Sequence, residues 1–240
     1  MGNNINKQKI LSKKVSGIVG SSAIPFTWVP TDESSLFAWY KFKTGLTVGL
    51  GSVSQWDDSS VNDNIMSQDV AGERPVYDDA DGSLRFVTTS DTNLQYADDV
   101  EFAGQFTVGI KMYPSTFNGV LVGSVDTSGE FIKINTSTQL TIKIDSTAIQ
   151  LDLDVGTPQF GDGNIVVTRN SGNVISLYKN GELQADTGTL EGTIQFNCIG
   201  LRQGGGSGVN GYQGDIFEIQ IYDSSGGALS ENISTYLADI

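Results

Sequence analysis

The sequence contains no histidine and a single cysteine, and these absences remove whole classes of chemistry. Without histidine the chain lacks the commonest general base and the commonest metal-binding side chain, so a histidine-dependent nucleophilic triad is excluded. The lone Cys198 excludes an intrachain disulfide framework and is typical of a small core residue. Apolar runs long enough for a membrane helix are also missing, and we expect no membrane insertion.

Positive charge is scarce and unevenly placed. The chain carries 14 basic and 28 acidic residues, a net charge of −14, which argues against binding to nucleic acid. The first thirty residues hold no acidic residue, and their basic residues are Lys7, Lys9, Lys13 and Lys14. A basic arm on an acidic body favours docking on other subunits or on copies of itself, with Phe26 and Trp28 as apolar anchors. The alternative interpretation is a solvated tail.

Short alternating segments fill the rest of the chain. Apolar and polar residues alternate in 106–112 and 217–221, the period-two pattern of half-buried strands. Asn180 and Gly181 stand between two such segments, and this pair predicts a tight β-hairpin because both residues tolerate positive φ. The sequence therefore indicates an all-β protein with many turns.

The C-terminus departs from the strand pattern. Apolar residues between 229 and 237 recur at helical spacing, and Ser230 is the expected helix cap. No change in composition divides the chain after residue 36. We predict an extended arm over 1–35 and one β-domain over 36–240 that ends in a short helix.

The segment 56–64 combines an aromatic residue with clustered oxygen ligands. Ca²⁺ binds six to eight oxygens in proteins, so Asp57, Asp58 and Asp63 are the candidate calcium ligands; the alternative is that aspartate simply favours turns. Aromatic rings and amide or carboxylate groups also suit sugar binding. The candidate ligand-binding residues are Trp56, Asp57, Asp58, Asn64 and Tyr212, although most aromatic residues of a sandwich belong to its core.

Several short motifs, in order along 36–240, resemble the concanavalin A-like superfamily, in particular its laminin-G-like jelly rolls from phage and bacterial proteins. The matching segments are Leu36–Tyr40, Trp56–Asn64, Arg74–Pro75 with Leu84–Phe86, Phe106–Val108, Leu177–Gly181, Ile199–Gly200 and Gly214–Asp223. Val61 replaces the glycine usual in the second motif, and the first 35 residues have no counterpart in the family. The resemblance implies a two-sheet antiparallel β-sandwich that binds ligands on its loops or concave face.

The same resemblance, with the basic arm, suggests a non-catalytic virion structural protein of a tailed phage. The chain would be a head decoration or a tail or fibre component, anchored by its arm to other virion subunits. The alternative is a carbohydrate-binding adhesin or lectin module that recognises cell-surface glycans, located at the cell surface or outside the cell. Glycans, and Ca²⁺ as a cofactor, are the ligands that these hypotheses allow.

Catalysis is not expected. Glycosidases use two carboxylates that flank the scissile bond, and laminarinase-type enzymes place them on one strand as Glu-x-Asp-x-x-Glu. Nothing in this sequence has that spacing. Asp215 and Glu218 come nearest, and at i and i+3 they are expected on opposite faces of a regular strand.

Overall fold

The computed structural model describes residues 27–87, 91–126, 130–202 and 211–240. Within these ranges the chain forms seventeen strands, two short 3-10 helices and one α-helix. The strands of the first half are β1 (Leu36–Tyr40), β2 (Leu46–Gly49), β3 (Ser52–Trp56), β4 (Met66–Ser67), β5 (Val76–Asp78), β6 (Ser83–Phe86), β7 (Leu94–Phe102) and β8 (Phe106–Pro114). Those of the second half are β9 (Gly119–Gly123), β10 (Phe131–Ile134), β11 (Gln139–Ile144), β12 (Thr147–Asp152), β13 (Gly163–Arg169), β14 (Val174–Lys179), β15 (Glu182–Thr189), β16 (Ile194–Ile199) and β17 (Gly214–Tyr222). The helices are the 3-10 turns Pro30–Asp32 and Ala71–Glu73 and the α-helix α1 (Gly227–Ala238).

The strands form two antiparallel sheets joined along one side. The first sheet has the order β1-β17-β8-β13-β14-β15, and the second has the order β4-β7-β16-β9-β10-β11-β12. Strands β6, β5 and β3 continue the hydrogen bonding from β17 round to β4. This architecture confirms the predicted all-β sandwich.

One hydrophobic core lies between the sheets. Strand β8 contributes Phe106 and Ile110 from the first sheet, and β16 and β11 contribute Phe196 and Ile142 from the second; each is at most 1% exposed. Successive side chains of a strand point to opposite faces, so the residues that alternate with these core residues lie on the outer faces of the sheets. The predicted hairpin is also present, since Asn180 and Gly181 join β14 to β15 with φ of 51° and 84°.

Helix α1 covers the outer face of the first sheet. Ile233 and Leu237 pack over Gly109 of β8, where a Cβ atom would lie 2.4 Å from the Ile233 side chain. The predicted terminal helix is confirmed, but the expected cap is wrong: Gly226 is the N-cap, and Ser230 lies inside the helix, donating its hydroxyl to the Gly226 carbonyl. Among the described residues no helix is long and apolar enough to cross a membrane.

Most of the predicted arm lies outside the described residues, including Lys7, Lys9, Lys13, Lys14 and Phe26. Trp28 is described and is half-buried. Its ring packs edge-on against Tyr236 of α1 at 6.0 Å between ring centroids, and its indole N–H donates to Glu33 at 3.0 Å. Trp28 therefore packs on its own domain, and its docking on a partner stays a prediction.

Candidate functional site

The loop that follows β3 is organised by one carboxylate. Asp58 Oδ1 accepts the backbone N–H groups of Trp39 at 2.8 Å and Ser60 at 2.7 Å. Its Oδ2 accepts the Ser60 hydroxyl at 2.6 Å and the Asn64 N–H at 3.0 Å. These four bonds tie the loop to β1, because backbone donors would otherwise be left without partners where the chain turns.

The two aromatic rings predicted to contact a ligand are in the core. Trp56 is fully buried, packs at a tilted angle against Tyr40 with 5.6 Å between ring centroids, and donates its indole N–H to the Thr44 carbonyl. Tyr212 is 1% exposed and packs against Phe86. Large aromatic rings gain most free energy when they leave water, so both positions are structural and the prediction of a ligand contact there is wrong.

The three aspartates predicted to bind calcium are separated by the loop geometry. Asp58 is engaged as described above, Asp57 accepts the side-chain amide of Gln55 at 2.6 Å, and Asp63 is exposed beyond the turn. Within the described ranges no group of three or more acidic or cysteine side chains is placed to hold a metal ion. The predicted calcium site is therefore not formed there, because backbone and amide donors already occupy the carboxylates of Asp57 and Asp58.

The end of the same loop does contribute to a cleft. Asp63 and Asn64 line a depression of about 220 Å³ opposite the middle of β7, with Asp98 and Asp99 on the far side. Phe37 forms an apolar part of the wall. Asn64 is held by its side-chain amide, which donates to the Phe37 carbonyl at 2.8 Å, and its own carbonyl accepts the Tyr40 hydroxyl.

Beside this cleft, β7 and β16 present a connected set of polar side chains on the outer face of the second sheet. Gln195 donates to Asp99 at 2.7 Å and to Glu101 at 3.0 Å. Asn197 donates to Asp99 at 2.9 Å and to Asp126, while its oxygen accepts the Val125 N–H. We name Asp99, Glu101, Asp126, Gln195 and Asn197 the carboxylate–amide array.

The array is exposed but ordered. Asp99, Glu101 and Asp126 are exposed, whereas Asn197, the centre of the set, is only 6% exposed. Each carboxylate has several acceptor positions, and an array member uses one or two of them internally. The remaining positions can accept hydroxyl groups from a ligand, and the geometry is fixed before the ligand arrives.

Of the residues that the sequence singles out, Asp63 and Asn64 line the cleft, and none belongs to the array. Gln195 and Glu101 are paired across the sheet although 94 positions separate them in the chain. The alternation of polar and apolar residues within each strand was available as a signal, but the pairing of β7 with β16 was not. The array depends on that pairing.

Asp215 and Glu218, expected on opposite faces, lie on the same face. A bulge between Ile216 and Glu218 lets both Ile216 and Ile219 point into the core between the sheets. Asp215 and Glu218, which precede them, therefore both lie on the opposite face of β17. They still have separate environments. Asp215 forms a salt bridge with Arg85 at 2.9 Å, and Glu218 is completely buried.

Burial raises the pKa of the Glu218 carboxyl, and three donors oppose that rise. The donors are the Phe42 N–H at 3.0 Å, the Gln220 amide at 2.9 Å and the Trp39 indole at 2.6 Å. A carboxylate enclosed in this way by the protein's own groups has no open side towards a substrate, so we assign it a structural role.

No family model and no curated protein matches the sequence. Solved structures do match the fold. The binding domain of Paraclostridial mosquitocidal protein 1 superposes with a TM-score of 0.61 at 15% identity, over 87% of this chain and 53% of that chain. The receptor-binding domain of botulinum neurotoxin type G gives a TM-score of 0.58 at 12% identity, over 85% and 51%. The chain thus spans about half the length of these two structures.

A third match is a sialidase of Trypanosoma rangeli in complex with 2,3-difluorosialic acid, with a TM-score of 0.53 at 14% identity, over 87% of this chain and 33% of that chain. At such low identity these likenesses show the fold alone. They support the β-sandwich, and the more specific resemblance to laminin-G-like jelly rolls stays a prediction.

Proposed function

We propose that this chain is a non-catalytic carbohydrate-binding domain that recognises glycans through the outer face of its second sheet. The observation that carries the proposal is the carboxylate–amide array, which is ordered by its own hydrogen bonds and is exposed on a sheet face that α1 does not cover. The cleft beside it, lined by Asp63 and Asn64, extends the same polar surface.

The chemistry of sugars fits this surface. Hydroxyl groups of a pyranose donate hydrogen bonds, and the array offers acceptors for them in the remaining positions of its carboxylate oxygens and in the amide oxygen of Gln195. The amide N–H groups of Gln195 and Asn197 are already used within the array. Hydrogen bonds to charged acceptors are shorter and stronger than neutral ones. Because Gln195 and Asn197 already fix the carboxylates, less side-chain freedom is lost when a sugar binds.

The likeness to two toxin binding domains supports a binding role, and the likeness to a sialidase complexed with a sialic acid derivative supports carbohydrate as the ligand class. These matches agree better with the glycan-binding alternative than with a virion role. Virion anchoring stays a prediction, since it rests mainly on arm residues outside the described ranges.

Glycan-array screening followed by titration calorimetry tests the proposal. We expect the unmodified chain to bind at least one glycan class and to release it chemically unchanged. The double variant Glu101→Ala with Gln195→Ala should weaken that binding by roughly tenfold or more, equivalent to one lost charge-assisted hydrogen bond.

The matched control is Glu182→Ala, which removes an exposed glutamate from β15 of the first sheet. Its affinity should equal that of the unmodified chain. Absence of binding to any glycan, or an equal loss in the control, would show that the outer face of the second sheet is not a carbohydrate site.

A further inference from the structure

The same outer face has a basic half. Lys133 on β10 and Lys143 on β11 point away from the core, because their neighbours Ile132 and Ile142 point into it. Arg202, which follows β16, lies over this part of the sheet, with its guanidinium carbon 4.6 Å from the centre of the Phe131 ring. Three of the basic residues of an acidic protein are therefore gathered on one surface.

Gly123 allows Arg202 to occupy this position. Strand β9 pairs Gly123 with Phe131 on one side and with Cys198 on the other. A Cβ atom on Gly123 would lie 2.7 Å from the Leu201 carbonyl and 2.9 Å from the Arg202 Cβ. The absent side chain lets residues 201–202 cross the sheet and bring the arginine close to Lys133.

The charge of Lys133 is not neutralised by an ion pair with any residue of the described ranges. Burial lowers the pKa of its ammonium group, and the positive charge of Arg202 lowers it further. Two like charges held together on a partly buried surface repel each other, and a bound anion relieves that repulsion.

The basic half lies close enough to the carboxylate–amide array for one oligosaccharide to contact both. Strands β16, β9 and β10 are consecutive, and the row Cys198–Gly123–Phe131 sets their register. Asn197 and Lys133 are therefore two strand spacings apart across the sheet and three residues apart along it, about 14 Å in all. An oligosaccharide of two or three rings, with the reach of the lysine side chain, spans that separation. Next to Lys133, the paired Thr141 adds a hydroxyl to the same face.

We infer that Lys133 and Arg202 form a subsite for the anionic group of an acidic sugar, a carboxylate or a sulfate, whose hydroxyl groups contact the carboxylate–amide array. This inference rests on the proposed carbohydrate function. The planar guanidinium binds a carboxylate or sulfate through two parallel hydrogen bonds, and the lysine adds a second positive charge.

Calorimetry with three related sugars tests the subsite: lactose, 3′-sialyllactose and 3′-sulfolactose. We expect one or both anionic sugars to bind roughly tenfold more tightly than lactose, with an advantage that shrinks as salt is added. The Lys133→Gln variant should lose that advantage while its affinity for lactose stays unchanged, and Lys133→Arg should restore it. Comparing the two anionic sugars identifies the carboxylate or the sulfate as the preferred group.

Lys111→Gln is the control, because it removes a half-exposed lysine from β8 of the first sheet; it should bind all three sugars normally. Equal binding of lactose and both anionic sugars by the unmodified chain would overturn the anionic subsite and leave the carbohydrate proposal standing. If no glycan binds, either in the glycan-array screen or in this calorimetry, both the anionic subsite and the carbohydrate proposal are overturned.

Discussion

The single carboxylate of Asp58 accepts four hydrogen bonds that organise a whole loop. Its four hydrogen bonds connect the loop after β3 to Trp39, near the end of β1, and they fix the backbone of Asn64 at the edge of the cleft. Asp57, the next residue back, accepts only a neighbouring side-chain amide in the described structure. The two adjacent aspartates of this motif therefore differ strongly in the number of backbone groups that they hold in place.

We predict that Asp58→Ala destabilises the fold by about 2–4 kcal/mol, since it leaves three backbone N–H groups and a hydroxyl without their acceptor. Asp57→Ala is the control and should cost less than about 0.5 kcal/mol. Urea unfolding monitored by circular dichroism measures both. Equal stability of the two variants would contradict the role assigned to Asp58.

At the scale of elements, the docking of α1 depends on the missing side chain of Gly109. Ile233 fills the space above this glycine, and its Cγ2 lies 2.4 Å from where a Cβ atom would be. Leu237, also buried, approaches the same position. The helix can therefore lie close to the sheet, and it shields Val166 and Tyr222 from water.

We predict that Gly109→Ala destabilises the protein by about 1–3 kcal/mol, because the added methyl group overpacks the helix–sheet contact. Gly104→Ala is the matched control, since a Cβ atom there meets nothing within 4 Å, and its stability should be unchanged or slightly higher. Thermal unfolding of the two variants and of the unmodified chain measures these differences in stability. A neutral Gly109→Ala would mean that α1 is not closely packed on β8.

At the scale of the whole molecule, the two sheets share one continuous core. The cluster of buried residues runs from Tyr40 and Trp56 near the loop to Ile142 and Leu177. A shared core of this kind favours a single cooperative unfolding transition. Cys198 lies fully buried in the second sheet, so its exposure reports on that transition.

We predict that Cys198 reacts very slowly with iodoacetamide in the native protein. Burial raises the pKa of its thiol, so the reactive thiolate is disfavoured and the rate should stay low up to about pH 9. In urea, labelling should begin together with the loss of circular dichroism. A chain carrying Cys198→Ala and Thr147→Cys, at an exposed position of β12, should instead react quickly and gain speed as the pH rises. Rapid native labelling of Cys198 would contradict a closed second sheet.

Local signals in the sequence predicted most of the architecture. The Asn180–Gly181 hairpin, the alternating strands and the terminal helix each follow from the chemistry of a few neighbouring residues. Those elements must form a two-layer sandwich because each strand has one apolar face to bury. The helix cap is the exception: the N-cap is Gly226, four residues before the predicted Ser230.

The site was less accessible to sequence reasoning. The sequence around an aromatic residue beside a turn does not show whether its ring lies in the core or on the surface. Trp56 and Tyr212 are for this reason predicted to contact a ligand, although both are buried. The bulge near Phe217 adds one unpaired residue to the strand, and it therefore places Asp215 and Glu218 on the same face where opposite faces are predicted.

By itself the sequence determined the acidic character of the protein, the period of its strands, its tight turn and its final helix, because these properties are local. The tertiary structure alone decided which polar side chains meet. Asp99 with Asn197, and Lys133 with Arg202, are brought together by strand pairings between distant segments. Those pairings are selected by burial of both sheets against one core, a free energy that no short stretch of the chain contains.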